Sequence, residues 1–210
     1  MDRTIDYTPL FSPVTSTEVA EFQRDNEEID LRIIAYDHVK EFARLDCDLA
    51  LYYCRTPPKD IQVTPLFSEE VFPVCSPQYL QKHPALNKPE DLAACTWLVL
   101  DDPQRDWLGW SEWFNSQGLK NVDPKRRINI NSYSMVIQSA MGGQGVALAW
   151  SRLVDDHLRS GALVRPLDAV LRTDAQFCLL EPLSRGGMRQ SVKRFRSWLL
   201  NQLPAASDIP

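Results

Sequence analysis

The chain has 210 residues, 44% of them hydrophobic, with a formal net charge of −5 and a sequence pI of about 5.2. Apolar content on this scale suffices for one core or two small lobes, and the acidic balance excludes a basic nucleic-acid face as the main surface. Locally basic stretches at 120–127 and 185–196 are short and read as solvated faces.

In chain order, strands and helices alternate. A strand is expected at 4–7, then a helix at 15–24 with Val19, Ala20 and Phe22 facing inward. A strand at 29–35, a short helix at 39–44 and an apolar strand at 48–53 follow. Residues 62–75 read as a long extended run divided by Pro65 and Pro73. Helices are expected at 77–82 and 89–94, the second opening on Pro89, whose fixed φ suits a first helical position. Next come a strand at 96–100, a helix at 107–117 closed by Gly118 and a strand at 127–130. The last third holds a helix at 151–159 ending near Gly161 and a strand at 173–180. It closes with an amphipathic helix at 188–203 that puts Val192, Phe195, Trp198 and Leu199 on one side.

Such alternation predicts an α/β fold of parallel or mixed sheet covered by helices. The extended segments 69–75 and 173–180 read as crossover strands between two lobes, one holding 1–72 plus 175–210 and the other 73–174. Two crossings make a hinge, and a cleft at strand ends is where a ligand is expected.

Residues 131–150, NSYSMVIQSAMGGQGVALAW, are the most informative stretch. Asn131 and Ser132 are N-cap types, able to accept hydrogen bonds from the free N–H groups of a first turn. Met135, Val136, Ile137 and Ala140 supply an apolar face, Gly142-Gly143 closes the helix, and 146–149 is an apolar strand. The unit presents a helix N-terminus, with its partial positive charge, to a small anionic group. The alternative is a helix capped by Asn or Ser and nothing more.

Catalytic and metal chemistry find little support. His38, His83 and His157 are isolated, and no nucleophile elbow, phosphate loop, metalloprotease helix or dinucleotide fingerprint is present. Cys47, Cys54, Cys75, Cys95 and Cys178 are odd in number and form neither a CxxC pair nor a zinc-type cluster, which favours reduced thiols. No catalytic residue, metal site or cofactor is assigned. The opening MDRTIDYTPLF lacks a basic region followed by an apolar run, and no stretch approaches a membrane span, so a cytoplasmic protein is expected.

Several segments together resemble the LysR-type transcriptional regulators. LFSEEVFPVCSPQYL at 66–80 resembles their first hinge strand and following helix, and DLAL at 48–51 the strand before it. GGQGVAL at 142–148 is similar to the glycine turn of the second lobe, and LVRPL at 163–167 to the segment before the second crossover. Trp110-Ser111-Glu112-Trp113 followed by Gly118 resembles the subgroup that includes the glycine-cleavage activator. The resemblance implies an effector-binding domain of two Rossmann-like lobes of periplasmic-binding-protein type II. It also implies a homodimer or homotetramer, and DNA contact only through an N-terminal helix-turn-helix domain that this chain lacks. Val19 and Phe22 are expected at a dimer face.

The resemblance places pocket positions at Thr8, Leu10 and Ser12, at Tyr36, Asp37 and His38, at Asp101 and Asp102, and at Asn131 and Ser132. Where the subgroup often carries Arg and Gly after the DLAL-like run, this chain has Tyr52 and Cys54. Asn131, Ser132 and Thr8 suit a carboxylate, while Asp37, Asp101 and Asp102 attract a cationic group. Tyr36, Tyr52, Tyr53 and Trp107 add aromatic faces of the kind that bind ammonium groups, with at most one of Tyr52 and Tyr53 facing the cleft because they alternate on a strand. A zwitterion or amine effector is therefore expected, such as an amino acid or a betaine. Against this, Trp107, Trp110 and Trp113 recur at helical spacing as a packing stripe would, and Asp101-Asp102 before Pro103 is an ordinary turn signal. The rival readings are a transporter's solute-binding protein, a small enzyme on the same scaffold, and a redox sensor acting through Cys47 or Cys54.

Overall fold

The structure is a computed structural model that describes residues 4–9, 16–33, 47–54, 61–83, 86–102, 107–182 and 188–202. The chain divides into two compact units, Met1–Ser68 with Asp174–Pro210, and Glu69–Thr173. Two strands pass from one to the other: β4 (Ile61–Val74) on the way out and β8 (Leu171–Pro182) on the way back.

In the first unit, β1 (Thr4–Pro9) pairs in parallel with β2 (Asp30–Ile33) and with β3 (Leu49–Cys54). β3 runs antiparallel to β8, with Leu51 opposite Leu179 and Tyr53 opposite Phe177. Two helices cover the sheet, α1 (Ser16–Asp25) and α6 (Gln190–Gln202). In α6, Val192, Phe195 and Leu199 recur at the helical period and are buried, as their spacing requires. Phe22 of α1 meets Phe195 edge-on and Trp198 at a tilt, both with centroids 5.0 Å apart. Val19 and Phe22 are 9% and 2% exposed in the chain, buried as inward-facing residues and not open to a dimer face; Ala20, expected inward, faces solvent. The buried Glu181 carboxylate accepts from Arg196 Nε at 2.7 Å and from the Thr64 hydroxyl at 3.3 Å, so its charge is matched inside the unit.

The second unit is built on parallel strands. β5 (Thr96–Leu100) lies between β6 (Arg126–Ile130) and β7 (Val146–Trp150), parallel to both, and β7 pairs antiparallel with β4. α3 (Trp110–Ser116) joins β5 to β6, and α4 (Tyr133–Met141) joins β6 to β7. These crossovers run in opposite directions across the sheet. Right-handed connection then places α3 on one face and α4 on the other. Trp97, Trp110 and Phe114 stack between β5 and α3, with centroids 4.6 and 5.1 Å from Trp97. A short α2 (Pro77–Gln81), capped by the Ser76 hydroxyl, and a 3-10 helix at Pro89–Ala94 precede β5.

Several differences from the sequence reading have local causes. β4 is uninterrupted despite its prolines. Ser151 N–H donates to the Glu70 carbonyl at 2.9 Å, so the hydrogen-bonded pairs with β7 fall on even-numbered residues of β4. Pro73, opposite Leu148, therefore turns its missing donor away from β7 and costs the ladder nothing. The helix expected from 107 begins at Trp110, and that expected from 151 is only α5 (Asp155–Arg159). Arg152 ahead of α5 sits at φ 70, a left-handed turn that no helix can run through. Residues 89–94 close as a 3-10 rather than an α-helix, and Met135, expected on the apolar face of α4, is 56% exposed. The helix expected at 39–44 lies outside the described residues.

The glycine turn before β7 has two distinct requirements. Gly143 holds φ +72, where side chains are strained. Gly145 is needed for close approach, since a Cβ there would stand 2.5 Å from the Thr96 carbonyl oxygen. Gly145→Ala should therefore push β7 from β5 and lower stability by about 1–3 kcal/mol in urea unfolding; a loss of only a few tenths would contradict this packing.

Burial makes the thiols of this unit inert. Desolvation, helped by neighbouring Cys95, pushes the Cys75 thiol from 9.0 up to about 12, and burial raises Cys95 as well. The folded state thus keeps the Cys75 proton through a pH range in which the unfolded chain releases it. This contribution to stability is complete below about pH 9 and declines as pH rises toward 12. Alkylation of Cys75 at pH 8 should proceed only as fast as the protein opens; a rate like that of a free thiol would contradict it.

Candidate functional site

Parallel strands order their loops, and unit 2 uses this. β5 and β6 end in register at Leu100 and Ile130, so Asp101-Asp102 and Asn131-Ser132 emerge side by side at the carboxyl edge. Asp101 N–H donates to the Ile130 carbonyl at 2.8 Å, tying one loop to the other. The chain leaves β5 toward β6 and then returns past it to β7. That reversal puts a topological switch point between β5 and β7, outside whose carboxyl ends α/β proteins bind ligands.

The groups at this edge fall into two layers. Asp101 and Asn131 are exposed, while Asp102 and Ser132 are half-buried. Ser132 is the N-cap of α4, with extended φ −131 and ψ 124, and its carbonyl accepts the first helical bond from Val136 at 3.0 Å. Among the described residues its hydroxyl caps no N–H, contrary to the expectation from its residue type. The hydroxyl is left beside a helix N-terminus where an acceptor is electrostatically favoured. Asp102 accepts from the Trp107 N–H at 2.9 Å and so shapes its own loop.

Beneath lies an aromatic floor. Trp150, the last residue of β7, meets Trp107 edge-on at 5.1 Å and Tyr133 edge-on at 5.4 Å. Its backbone N–H donates to the Tyr133 hydroxyl at 3.2 Å, and burial pushes that phenol well above its ordinary range. Its indole Nε1–H donates to Glu69 Oε1 at 2.7 Å. Glu69, on β4, is 0% exposed and also accepts from the Thr173 hydroxyl on β8 at 2.5 Å. The adjoining pair, Arg172 and Glu70, form an exposed ion pair at 2.6 Å.

The structure thus brings together Asp101, Asp102, Asn131 and Ser132. Thr8 lies in β1, where its backbone registers with Ala50. Tyr53 is buried in unit 1 with its ring 5.5 Å from Phe177. Leu10, Ser12, Tyr36, Asp37 and His38 lie outside the described residues. Trp150, Tyr133 and Glu69 were not singled out from the sequence, because a Trp ending an apolar strand and a Glu in an extended run carry no motif. The signal available was topological: Trp150 ends β7 at the switch point.

A concavity lies on the α3 face. It encloses about 440 Å³ and is lined by Trp97, Val99, Trp110, Phe114, Asn121 and Arg127 among others. Arg127 there is paired with Asp123, and the lining is drawn from β5, α3, the loop before β6 and Arg127, and includes none of Asp101, Asp102, Asn131 or Ser132. Elsewhere, His83 stacks on Tyr79 at 4.2 Å with Nδ1 3.0 Å from its carbonyl oxygen, a structural role. Among the described residues no group of three or more His, Cys, Asp or Glu is placed to hold a metal ion, and no helix is long and apolar enough to cross a membrane.

Two α/β units, two crossover strands and a polar strand-end edge define an effector-domain fold of periplasmic-binding-protein type II, and solved structures share it. The effector domain of the transcriptional regulator AmpR of Pseudomonas aeruginosa superposes with a TM-score of 0.72 at 23% identity, covering 94% of each chain. The regulatory domain of CrgA, a LysR-type transcriptional regulator from Neisseria meningitidis, gives 0.75 at 18% identity, covering 95% of this chain and 98% of that one. The LysR substrate binding domain family matches residues 15–204, and the chain belongs to that family. Among curated relatives, the glycine cleavage system transcriptional activator of Escherichia coli (strain K12) is 33% identical over 180 residues, 86% of this chain and 57% of that protein. The chain therefore spans a little over half the length of such relatives, which are transcriptional regulators and not enzymes.

Trp150→Phe keeps the floor's aromatic packing but removes the indole donor from a fully buried carboxyl group. It should cost about 1–3 kcal/mol in urea unfolding, the penalty of a buried acceptor left short of a partner; no measurable loss would contradict the role given to this bond.

Proposed function

We propose that the chain is the effector-sensing domain of a LysR-type transcriptional regulator and that it binds an amino acid, betaine or amine at the carboxyl ends of β5, β6 and β7. One observation carries the proposal. The N-terminus of α4, with a Ser132 hydroxyl uncommitted to capping, stands beside the carboxylates of Asp101 and Asp102 at a topological switch point. The helix terminus and hydroxyl favour an anionic end, and the carboxylates a cationic one. A zwitterion satisfies both.

The regulatory mechanism is population shift. An effector that binds one conformation more tightly favours it, and the changed geometry of a homodimer or homotetramer alters how its DNA-binding domains meet their sites. The similarity to transcriptional activators and regulators supports this reading over that of a transporter's solute-binding protein.

Thermal unfolding against amino acids, betaines, amines, aromatic acids and dicarboxylates tests it. A compound at a hundred times its dissociation constant should add about 2.7 kcal/mol. A zwitterion or amine is expected to stabilise the chain, and Ser132→Ala or Asp101→Asn to abolish the effect. Stabilisation by dicarboxylates or aromatic acids alone would overturn the charge argument, and stabilisation by none of them the sensing role.

A further inference from the structure

The strand-end loops and the crossover strands are joined by one continuous set of contacts inside unit 2. Asp102 holds the Trp107 backbone, and the Trp107 ring packs on Trp150. Ser132 caps the helix whose first residue, Tyr133, packs on the other part of Trp150 and accepts its N–H. Both routes converge on one indole, and that indole's Nε1–H reaches Glu69 on β4, whose second oxygen binds Thr173 on β8. Glu69 is the first residue of unit 2 and Thr173 the last, so this carboxyl group bonds across the two strands at the points where the chain enters and leaves the unit.

We propose that Trp150 and Glu69 are positioning residues that pass a displacement of the strand-end loops to the two crossover strands. The inference rests on the proposed effector site only for its input; the linkage itself lies among the chain's own residues. Its physical basis is that four of these side chains are held in the core. Trp107, Tyr133, Trp150 and Glu69 are each 7% exposed or less, and edge-on ring contacts with directed hydrogen bonds leave the indole little freedom to move unless its partners move too. A shift of the Asp102 loop carries Trp107. The indole then either turns with it, straining the Nε1–Glu69 bond, or gives up the ring contact. Each alternative is a discrete repacking, the kind of element through which two distant places are coupled.

The test needs no effector. Peptide-resolved amide exchange is measured on the 210-residue chain and on Asp102→Ala, Trp150→Phe and the double variant. Asp102→Ala should speed exchange in Glu69–Val71 and Leu171–Thr173 roughly two- to thirtyfold, the span expected of a coupled pair, while Gly118 and Leu119 on the α3 side stay as they were. In the Trp150→Phe background the same substitution should leave the crossover strands unchanged, because the connecting donor has gone. The one-dimensional proton spectrum gives a second readout: the Trp150 indole N–H resonance, assigned by its loss in Trp150→Phe, should move in Asp102→Ala. Asp102→Leu, which likewise offers the Trp107 N–H no acceptor, replaces Asp102→Ala should the latter fail to fold. Acceleration confined to residues 101–110, equal acceleration everywhere, or additive effects in the double variant would each overturn the proposal. A failure to find an effector leaves this result standing, and a failure here leaves the effector site standing.

Discussion

A fully buried carboxyl group, that of Glu69, is the constraint on which the second unit depends. Burial of such a group is unfavourable unless its oxygens are bonded, so it fixes whatever supplies the donors. Here they come from Trp150 at the end of β7 and from Thr173 on β8. The strand that leaves the unit, the strand that enters it and the last residue of β7 are thereby held to one point. The aromatic floor follows, because an indole committed to Glu69 offers its faces and edges to Trp107 and Tyr133.

The floor in turn positions the polar edge. Parallel pairing sets the ends of β5 and β6 level, and the packing of Trp107 and Tyr133 on one indole keeps the loops after both strands close together. Asp101, Asp102, Asn131 and Ser132 are then presented as a mixed set: two carboxylates, an amide, a hydroxyl and a helix N-terminus. An effector bound at this edge, as proposed, would be selected by charge distribution rather than by shape, since none of these side chains is long or rigid. Specificity in this family of scaffolds accordingly resides in a few loop residues on a common framework.

Much of the framework was legible in the sequence. Long periodic segments declared themselves: α6 through Val192, Phe195 and Leu199, the crossover strands through apolar runs, and the turn before β7 through its glycines. What misled was local chemistry overridden by context. Pro73 reads as a strand breaker, yet its absent N–H faces away from β7. Ser132 reads as a capping side chain, yet it caps only through its carbonyl. Phe22 reads as inward-facing from its helix period and also as a dimer-face candidate; its burial against Phe195 and Trp198, more than a hundred and seventy positions away in the sequence, fits the first reading and not the second. Asn131 and Ser132 stood out as N-cap residue types, whereas Asp101 and Asp102 were indicated by the family resemblance; the register of β5 with β6 sets the four side by side. Trp150 and Glu69 were not indicated, since their roles exist only once β4, β7 and β8 lie together.

The most direct measurement of where an effector acts is backbone amide shift mapping of the ¹⁵N-labelled chain, titrated with whichever compound stabilises it most. The account predicts the largest shifts at Asp101, Asp102, Asn131, Ser132 and Tyr133, with the Trp150 indole following. Shifts centred instead on Asn121, Asp123 and Arg127, around the cavity beneath α3, would place the ligand elsewhere and contradict the strand-end site.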